Sequence, residues 1–310
     1  MDKINQKIIQ ELDKNPKVPL TKLSKKLRIS QQVADYRIKR MIESGQIKKF
    51  GTIINLNSLK QEHYRIFFTF SNKYSNKEIF SYLKKQKGIY WTARVGGRYD
   101  LLIVLFVFNF QIHDSFIDAL NTKFPGLIKE YSSNYGTDYF LYKHKYFNKD
   151  DVIIHYSCND QRIDVDKLDL EIIKEIKDNC RMSSVELGKK YAVSYKTILN
   201  RIKSLEQKKI ILGYRLFLES PKLKSFTVLF SFQNYSRSEE KSLINYIAQI
   251  PTITQAIKLY GQWGLNLQIK ANNNEELQNI LIDLKNKFSI LNSHEIIPIF
   301  EDIEINLCPI

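Results

Sequence analysis

Sulfur is scarce in this chain: its 310 residues include 3 cysteines and 3 methionines. Cys158, Cys180 and Cys308 are odd in number and far apart, with no C-x-x-C pair, which argues against a disulfide framework and a zinc site. Glycine is also sparse, at 11 residues, and none of them forms a glycine-rich phosphate loop. Nor is there a long apolar run. The longest, Leu101 to Phe108, has eight residues, far short of the roughly 20 that span a bilayer, and it reads as a buried strand. The first residues, MDKINQKIIQELDK, are polar and helix-patterned, unlike a signal peptide. Acidic residues are outnumbered, 33 against 48 basic, giving a net charge of +15. So basic a chain suggests a polyanionic partner, whether nucleic acid or anionic membrane. What remains is 43% hydrophobic and 12% aromatic, enough for real cores over two to four domains. A reducing cytoplasm fits all of this, with no membrane partner and no cofactor.

An internal repeat organises the chain. Residues 4–50 align without a gap to residues 168–214, and 12 of the 47 positions are identical. Most other apolar positions exchange like for like, as in Ile29/Val193, Met41/Leu205 and Phe50/Tyr214. At the same offset of 164, Gly97 faces Gly261 and Tyr99 faces Trp263. The chain is therefore a duplicated unit of about 150 residues.

Each unit divides again. Its first part has helical periodicity: Ile4, Ile8, Ile9 and Leu12 on one helix, Leu20, Leu23 and Leu27 on a second. Ser183 with Glu186 is a capping-box start in copy two, and Ser30 and Ser194 are N-cap candidates for a third helix. Gly45 is a stop signal in copy one. Ile47–Asn55 and Ile210–Leu218 then read as a short strand pair, the wing. The second part reads as βαββαβ: Tyr64–Phe70, Asn76–Lys87, Tyr90–Val95, Leu101–Phe108, Ile112–Phe124 and Ile128–Tyr146, with the same order from Phe226 to Ile305. The expected fold class is α+β: two winged helix-turn-helix domains (1–60 and 164–224) alternating with two ferredoxin-like domains (61–147 and 225–310). A linker over 148–163 joins the copies, and Val152–Tyr156 is a candidate extra strand.

Charge is segregated. Residues 1–60 carry 14 Lys and Arg against 5 Asp and Glu, a net +9; residues 164–224 carry 14 against 9, a net +5. The helical modules thus hold nearly all of the excess, where a duplex would dock.

The segments KLSKKLRIS…RIKRMIESGQIKKF and ELGKKYAVS…RIKSLEQKKIILGY, with VGGRYDLLIVLF and FPGLIKEYSSNYGT, resemble the Lrp/AsnC (feast/famine) transcription regulators. The resemblance covers nearly the whole chain, twice, the second sensor (RAM-like) part less closely. Family members usually carry one unit and dimerise through their sensor sheets, so the tandem form implies a pseudo-dimer within one chain. The implied partners are double-stranded DNA, a small amino-acid-like effector and further copies of the chain. By position, Gln31, Gln32, Asp35, Tyr36 and Arg40 correspond to groove-facing residues, matched by Tyr195, Lys196, Leu199, Asn200 and Ser204 in copy two. Arg37 and Arg201 are expected to hold phosphate or brace the helices; Lys39, Lys48, Lys49, Lys203, Lys208 and Lys209 are expected at phosphates.

In the resembled family, effectors sit near the turn between the second and third sensor strands. Here that turn contains Gly97, Arg98, Tyr99 and Asp100, whose backbone N–H groups suit a carboxylate and whose acid suits an ammonium. Copy two has Gly264 where the acid would be. Siroheme decarboxylases resemble the same architecture and use His and Arg in the sensor cavity. The five histidines here, His63, His113, His144, His155 and His294, share no spacing between copies and are each expected at the surface. No metal site or catalytic residue is expected.

Overall fold

Helical and extended segments follow one another in the order the hydrophobic periods dictate. In the computed structural model, which describes residues 2–71, 73–142, 153–219, 223–234 and 236–309, copy one opens with α1 (Lys3–Lys14), α2 (Leu20–Leu27), α3 (Gln31–Glu43) and β1 (Ile47–Ile54). It continues with β2 (Glu62–Phe70), α4 (Asn76–Leu83), β3 (Ile89–Val95), β4 (Leu101–Val107), α5 (Phe110–Lys123) and β5 (Ile128–Tyr142). A short strand, β6 (Ile153–Ser157), lies between the copies. Copy two repeats the series as α6 (Lys167–Ile176), α7 (Ser184–Lys190), α8 (Tyr195–Gln207), β7 (Ile211–Leu218), β8 (Lys224–Phe232), α9 (Arg237–Ile247), β9 (Ile253–Tyr260), β10 (Leu265–Ala271), α10 (Asn274–Lys287) and β11 (Leu291–Ile305).

These elements separate into two compact units, and each unit draws on both copies. The first holds the helix-turn-helix elements, 2–55 and 163–219 among the described residues. Its helices start where side chains satisfy the free N–H groups of the first turn. Ser30 accepts from Val33 N–H at 3.1 Å and Ser194 from Thr197 N–H at 3.0 Å. Ser183 and Glu186 form the expected capping box. Helix α3 ends at Glu43, and Gly45 follows at φ +73°, a left-handed turn that favours glycine. Ile8, Ile9, Leu12, Leu23, Ile38 and Met41 share a core with Ile47 and Phe50, and Cys180 and Leu216 of copy two pack into it.

The wing is shared between the copies. Each copy supplies one strand, and the two pair with each other: β1 runs antiparallel to β7, with Ile47 opposite Leu218 and Gly51 opposite Arg215. Thr52 anchors the ribbon by donating its hydroxyl to Ile176 O at 2.6 Å and its N–H to Lys177 O at 2.9 Å, carbonyls at the end of α6. The strand partner is the other copy's wing because both segments present matching apolar residues to one core.

The second unit comprises Leu56–Tyr142, Ile153–Arg162 and 223–309. Copy one orders its strands β5-β2-β4-β3 and copy two β11-β8-β10-β9, the ferredoxin-like order in each. Alternation along each strand sends one face to the helices. Tyr64, Ile66, Phe68, Leu101, Ile103 and Leu105 pack with Ile79, Leu83, Phe116 and Leu120 of α4 and α5. Val228, Phe230, Leu265 and Leu267 do the same beneath α9 and α10. The two long strands then change sheets. Strand β5 pairs with β2 through its first half and with β9 of copy two through its second. Strand β11 pairs with β8 and then with β3 of copy one. These reciprocal crossings close eight strands into a ring, and β6 adds to β5.

Candidate nucleic-acid interface

The third helix of each copy is amphipathic. Ala34, Ile38 and Met41 face inward on α3, and Ile198, Ile202 and Leu205 on α8. That leaves Gln31, Gln32, Tyr36, Lys39 and Arg40 exposed in copy one, with Asp35 half-buried. In copy two it leaves Tyr195, Lys196, Leu199, Asn200 and Lys203 exposed, with Ser204 half-buried. Tyr36 is 62% exposed and Tyr195 49%.

The cations expected to meet the duplex fall into two groups. Arg40, Lys196, Lys203, Lys208 and Lys209 form no ion pair among the described residues and stand in solvent. The others are engaged. Arg37 donates to Asp2 and, at 2.9 Å, to Asn5 Oδ1. Arg201 donates to Asp166 Oδ2 at 2.5 Å and to Asp169 Oδ1 at 2.9 Å. In both copies this arginine ties the third helix to the start of the first, which is the bracing alternative rather than a free phosphate ligand. The guanidinium of Arg201 and the backbone N–H of Asp169 hold the Asp166 carboxyl below the ordinary carboxylate range. That brace is therefore present at neutral pH and is lost as acid protonates Asp166. Lys39 pairs with Asp35 at 2.8 Å, Lys48 with Glu219, and Lys49 with Asp178 at 2.6 Å. The last two join copy one to copy two.

The turn expected at an effector spends its charges within the chain. Asp100 Oδ2 accepts the Phe70 N–H at 2.7 Å, Arg98 pairs with Glu130, and Tyr99 is buried against Phe67 with ring centroids 5.3 Å apart. Gly97 keeps its left-handed backbone at φ +85°.

Two histidines depart from the surface expectation. His63 is 1% exposed and His113 4%. His113 bonds Ser133 Oγ at 2.9 Å and packs on Tyr64. His63 lies on the ring side of β2, two residues from Arg65, itself 2% exposed. The signal was strand alternation: in EHYRIFFTF the polar His63 and Arg65 share one face and Tyr64, Ile66 and Phe68 the other. His144 lies outside the described residues.

Two exposed third helices, each capped by serine and packed on two shorter helices, define a winged helix-turn-helix protein. A family model described as winged helix-turn-helix DNA-binding matches residues 1–48 and again 165–211. The chain is 31% identical over 122 residues to an uncharacterised HTH-type transcriptional regulator of Pyrococcus horikoshii, covering 38% of this chain and 81% of that one. It is 27% identical over 125 residues to the leucine-responsive regulatory protein of Rhizobium meliloti, covering 39% and 80%. It belongs to the Lrp/AsnC family of transcription regulators, as a tandem duplication. Among solved structures, the siroheme decarboxylase NirDL matches 97% of this chain and 92% of its own with a TM-score of 0.67 at 12% identity, which shows a shared fold. No described helix is long and apolar enough to cross a membrane.

Proposed function

We propose that this chain is a sequence-specific DNA-binding regulator that acts as a pseudo-dimer within one polypeptide. The observation that carries this reading is the pair of outward polar helix faces bearing cations without ion-pair partners among the described residues, on modules that hold +9 and +5 of the net charge. The third helices enter successive major grooves. Gln31, Gln32, Asp35, Tyr36 and Arg40 meet base edges from one, and Tyr195, Lys196 and Asn200 from the other. Lys203 reaches phosphate, and Lys39 joins it once a phosphate competes with Asp35. Arg37 and Arg201 hold the reading helices in place. Reciprocal strand exchange in the second unit supports the pseudo-dimer, because each copy completes the other's sheet edge.

Two expected results test it. A homodimer presents identical helices and selects palindromes, whereas this chain presents QQVADYR and YKTILNR. Selection from a random duplex pool should return two dissimilar half-sites in one footprint; a perfect palindrome overturns the pseudo-dimer. Binding should also weaken steeply with salt. With about 6 phosphates neutralised, log affinity against log salt falls with a slope near −5, and a flat line in a filter-binding titration rejects the regulator reading.

A small amino-acid-like effector acting on the second unit is part of the proposal, and no cofactor is invoked. The whole-chain likeness to NirDL, with a histidine and an arginine buried in the sensor ring, favours one other reading: a fused siroheme-decarboxylase-like enzyme. A tetrapyrrole absorption band that persists through gel filtration would favour it over the regulator.

A further inference from the structure

Inside the ring of the second unit lies a charge without a counter-ion. Arg65 is 2% exposed, and its Nε and Nη2 have no hydrogen-bond partner among the described residues. Its neighbours are aromatic: the Trp91 ring at 5.5 Å, and the phenols of Tyr139, Tyr156 and Tyr90. Burial pushes its pKa down to about 10 against the opposing influence of the tyrosines, so it is still charged at neutral pH. A lone buried guanidinium costs several kcal/mol, and a fold keeps one where something anionic joins it.

Beside it, a count of protons fixes the state of His63. The Tyr139 hydroxyl donates to Gly136 O at 2.8 Å, so its proton is taken. His63 Nδ1 stands 2.6 Å from the same oxygen and must therefore be the donor. The proton is on Nδ1, and Nε2 is left as a bare acceptor, buried and without a partner. Burial and the nearby Arg65 charge keep the ring neutral. Stacking on Phe106, with centroids 4.7 Å apart and 5° between planes, holds it in place.

Copy two has nothing comparable. Arg65 lies opposite Val104 and Thr227 opposite Gln268, one repeat apart, so Thr227 is the counterpart of Arg65. Its hydroxyl accepts from Gln268 Nε2 at 2.9 Å, a neutral pair that needs no further ion. The free charge is particular to copy one.

We propose that the ring interior at Arg65 and His63 binds a small 2-hydroxy carboxylate, its carboxylate on the free guanidinium N–H groups and its hydroxyl donating to His63 Nε2. The hydroxyl suits the site better than an ammonium, because among the described residues no carboxylate pairs with Arg65 to offset a second positive charge. The inference refines the effector reading by naming the ligand class, and it does not require DNA binding.

The test is calorimetry and thermal shift on the full chain with glycolate, lactate and 2-hydroxy-3-methylbutyrate, each against its amino and unsubstituted analogue. A hydroxy acid should bind at least about 10-fold tighter than either analogue, and Arg65→Met should weaken it about 10- to 150-fold. His63→Phe keeps the stack on Phe106 and should bind hydroxylated and unsubstituted acids equally. If Arg65→Met fails to fold, that loss of preference decides alone. The proposal is overturned if no acid binds, if Arg65→Met binds as the parent does, or if amino acids bind best and depend on Asp100 in an Asp100→Asn variant. Uptake of uroporphyrin that is lost in Arg65→Met would also overturn it. A DNA gel shift on the same samples separates failure of this site from failure of the regulator reading.

Discussion

Gly136→Ala should lower the melting temperature of the second unit by on the order of 10 °C. The methyl group would stand 2.2 Å from His63 Nδ1 and 2.6 Å from Tyr139 Oη. A flexible neighbour would swing aside, but neither ring is free to. His63 is stacked on Phe106, and Tyr139 on Tyr156 with centroids 4.3 Å apart; all four rings are buried. Overpacking at such a site costs about 1–3 kcal/mol. Parting the buried His63–Tyr139 hydrogen bond adds about 1–3 kcal/mol, and a domain of this size loses about 2–4 °C per kcal/mol. A double-mutant cycle makes the cause specific. His63→Ala vacates the space, so Gly136→Ala should cost much less in that background, with a coupling above about 1 kcal/mol. Additive losses would show that the clash lies elsewhere.

That same cluster marks where a linear reading stops. Helix periodicity is a local property, so α1 to α3 and α6 to α8 fell close to where Ile8, Leu12, Ile38 and Ile198 placed them. Capping is also local, and the Ser183–Glu186 box formed as its spacing implies. Strand positions followed from alternation and from the turn GGRYD. Partners, by contrast, are not encoded near the residues that have them. Phe50 and Leu216 meet across the β1–β7 ribbon although 166 positions apart, and nothing in IKKFGTIIN distinguishes pairing with its own copy from pairing with the other. The same holds for β5 and β11, whose 15 residues exceed what one sheet requires. Their length is the trace of the crossing, visible in sequence only as an overlong final strand.

Charge was legible as a sum and less so as a set of residues. Net positive modules are a property of composition, but which cations are free depends on which acids fold against them. Lys48 and Lys49 looked like wing phosphate ligands; the ribbon brings Glu219 and Asp178 of copy two to them. Asp2, at the far end of α1 in sequence, occupies Arg37. The exposed ring of Tyr36 was legible because helical spacing puts it opposite the buried Ile38, whereas Tyr195 is exposed as the first residue of α8. His63 and Arg65 were legible in principle, as two polar residues on one face of an otherwise apolar strand.

Removing the exposed cations of both reading helices at once should nearly abolish DNA binding. In the variant Lys39→Gln, Arg40→Gln, Lys196→Gln, Lys203→Gln, four positive charges leave the exposed faces of α3 and α8. Each cation withdrawn from the duplex forgoes the release of about 0.9 counterion, so the log–log salt slope should flatten by about 3.6. At about 0.1 M salt this amounts to an affinity loss of about 10³-fold. Stability should hardly change, because all four side chains are exposed; of the ion pairs involved only Lys39–Asp35 is lost, and an exposed i,i+4 pair contributes about 0.3–0.5 kcal/mol. The two halves need not be equal. Lys39 is already partnered by Asp35 and must exchange that acid for a phosphate, whereas Lys196 and Lys203 have no ion-pair partner among the described residues to give up. The copy-two pair should therefore account for the larger share of the slope. Glutamine in place of Lys203, beside an Arg201 still held by Asp166 and Asp169, removes charge without releasing the brace. An unchanged slope with all four residues replaced would mean that DNA, if bound at all, lies on another surface. A copy-one pair that carried the whole effect would mean that α8 pairs with the other module without reading the duplex.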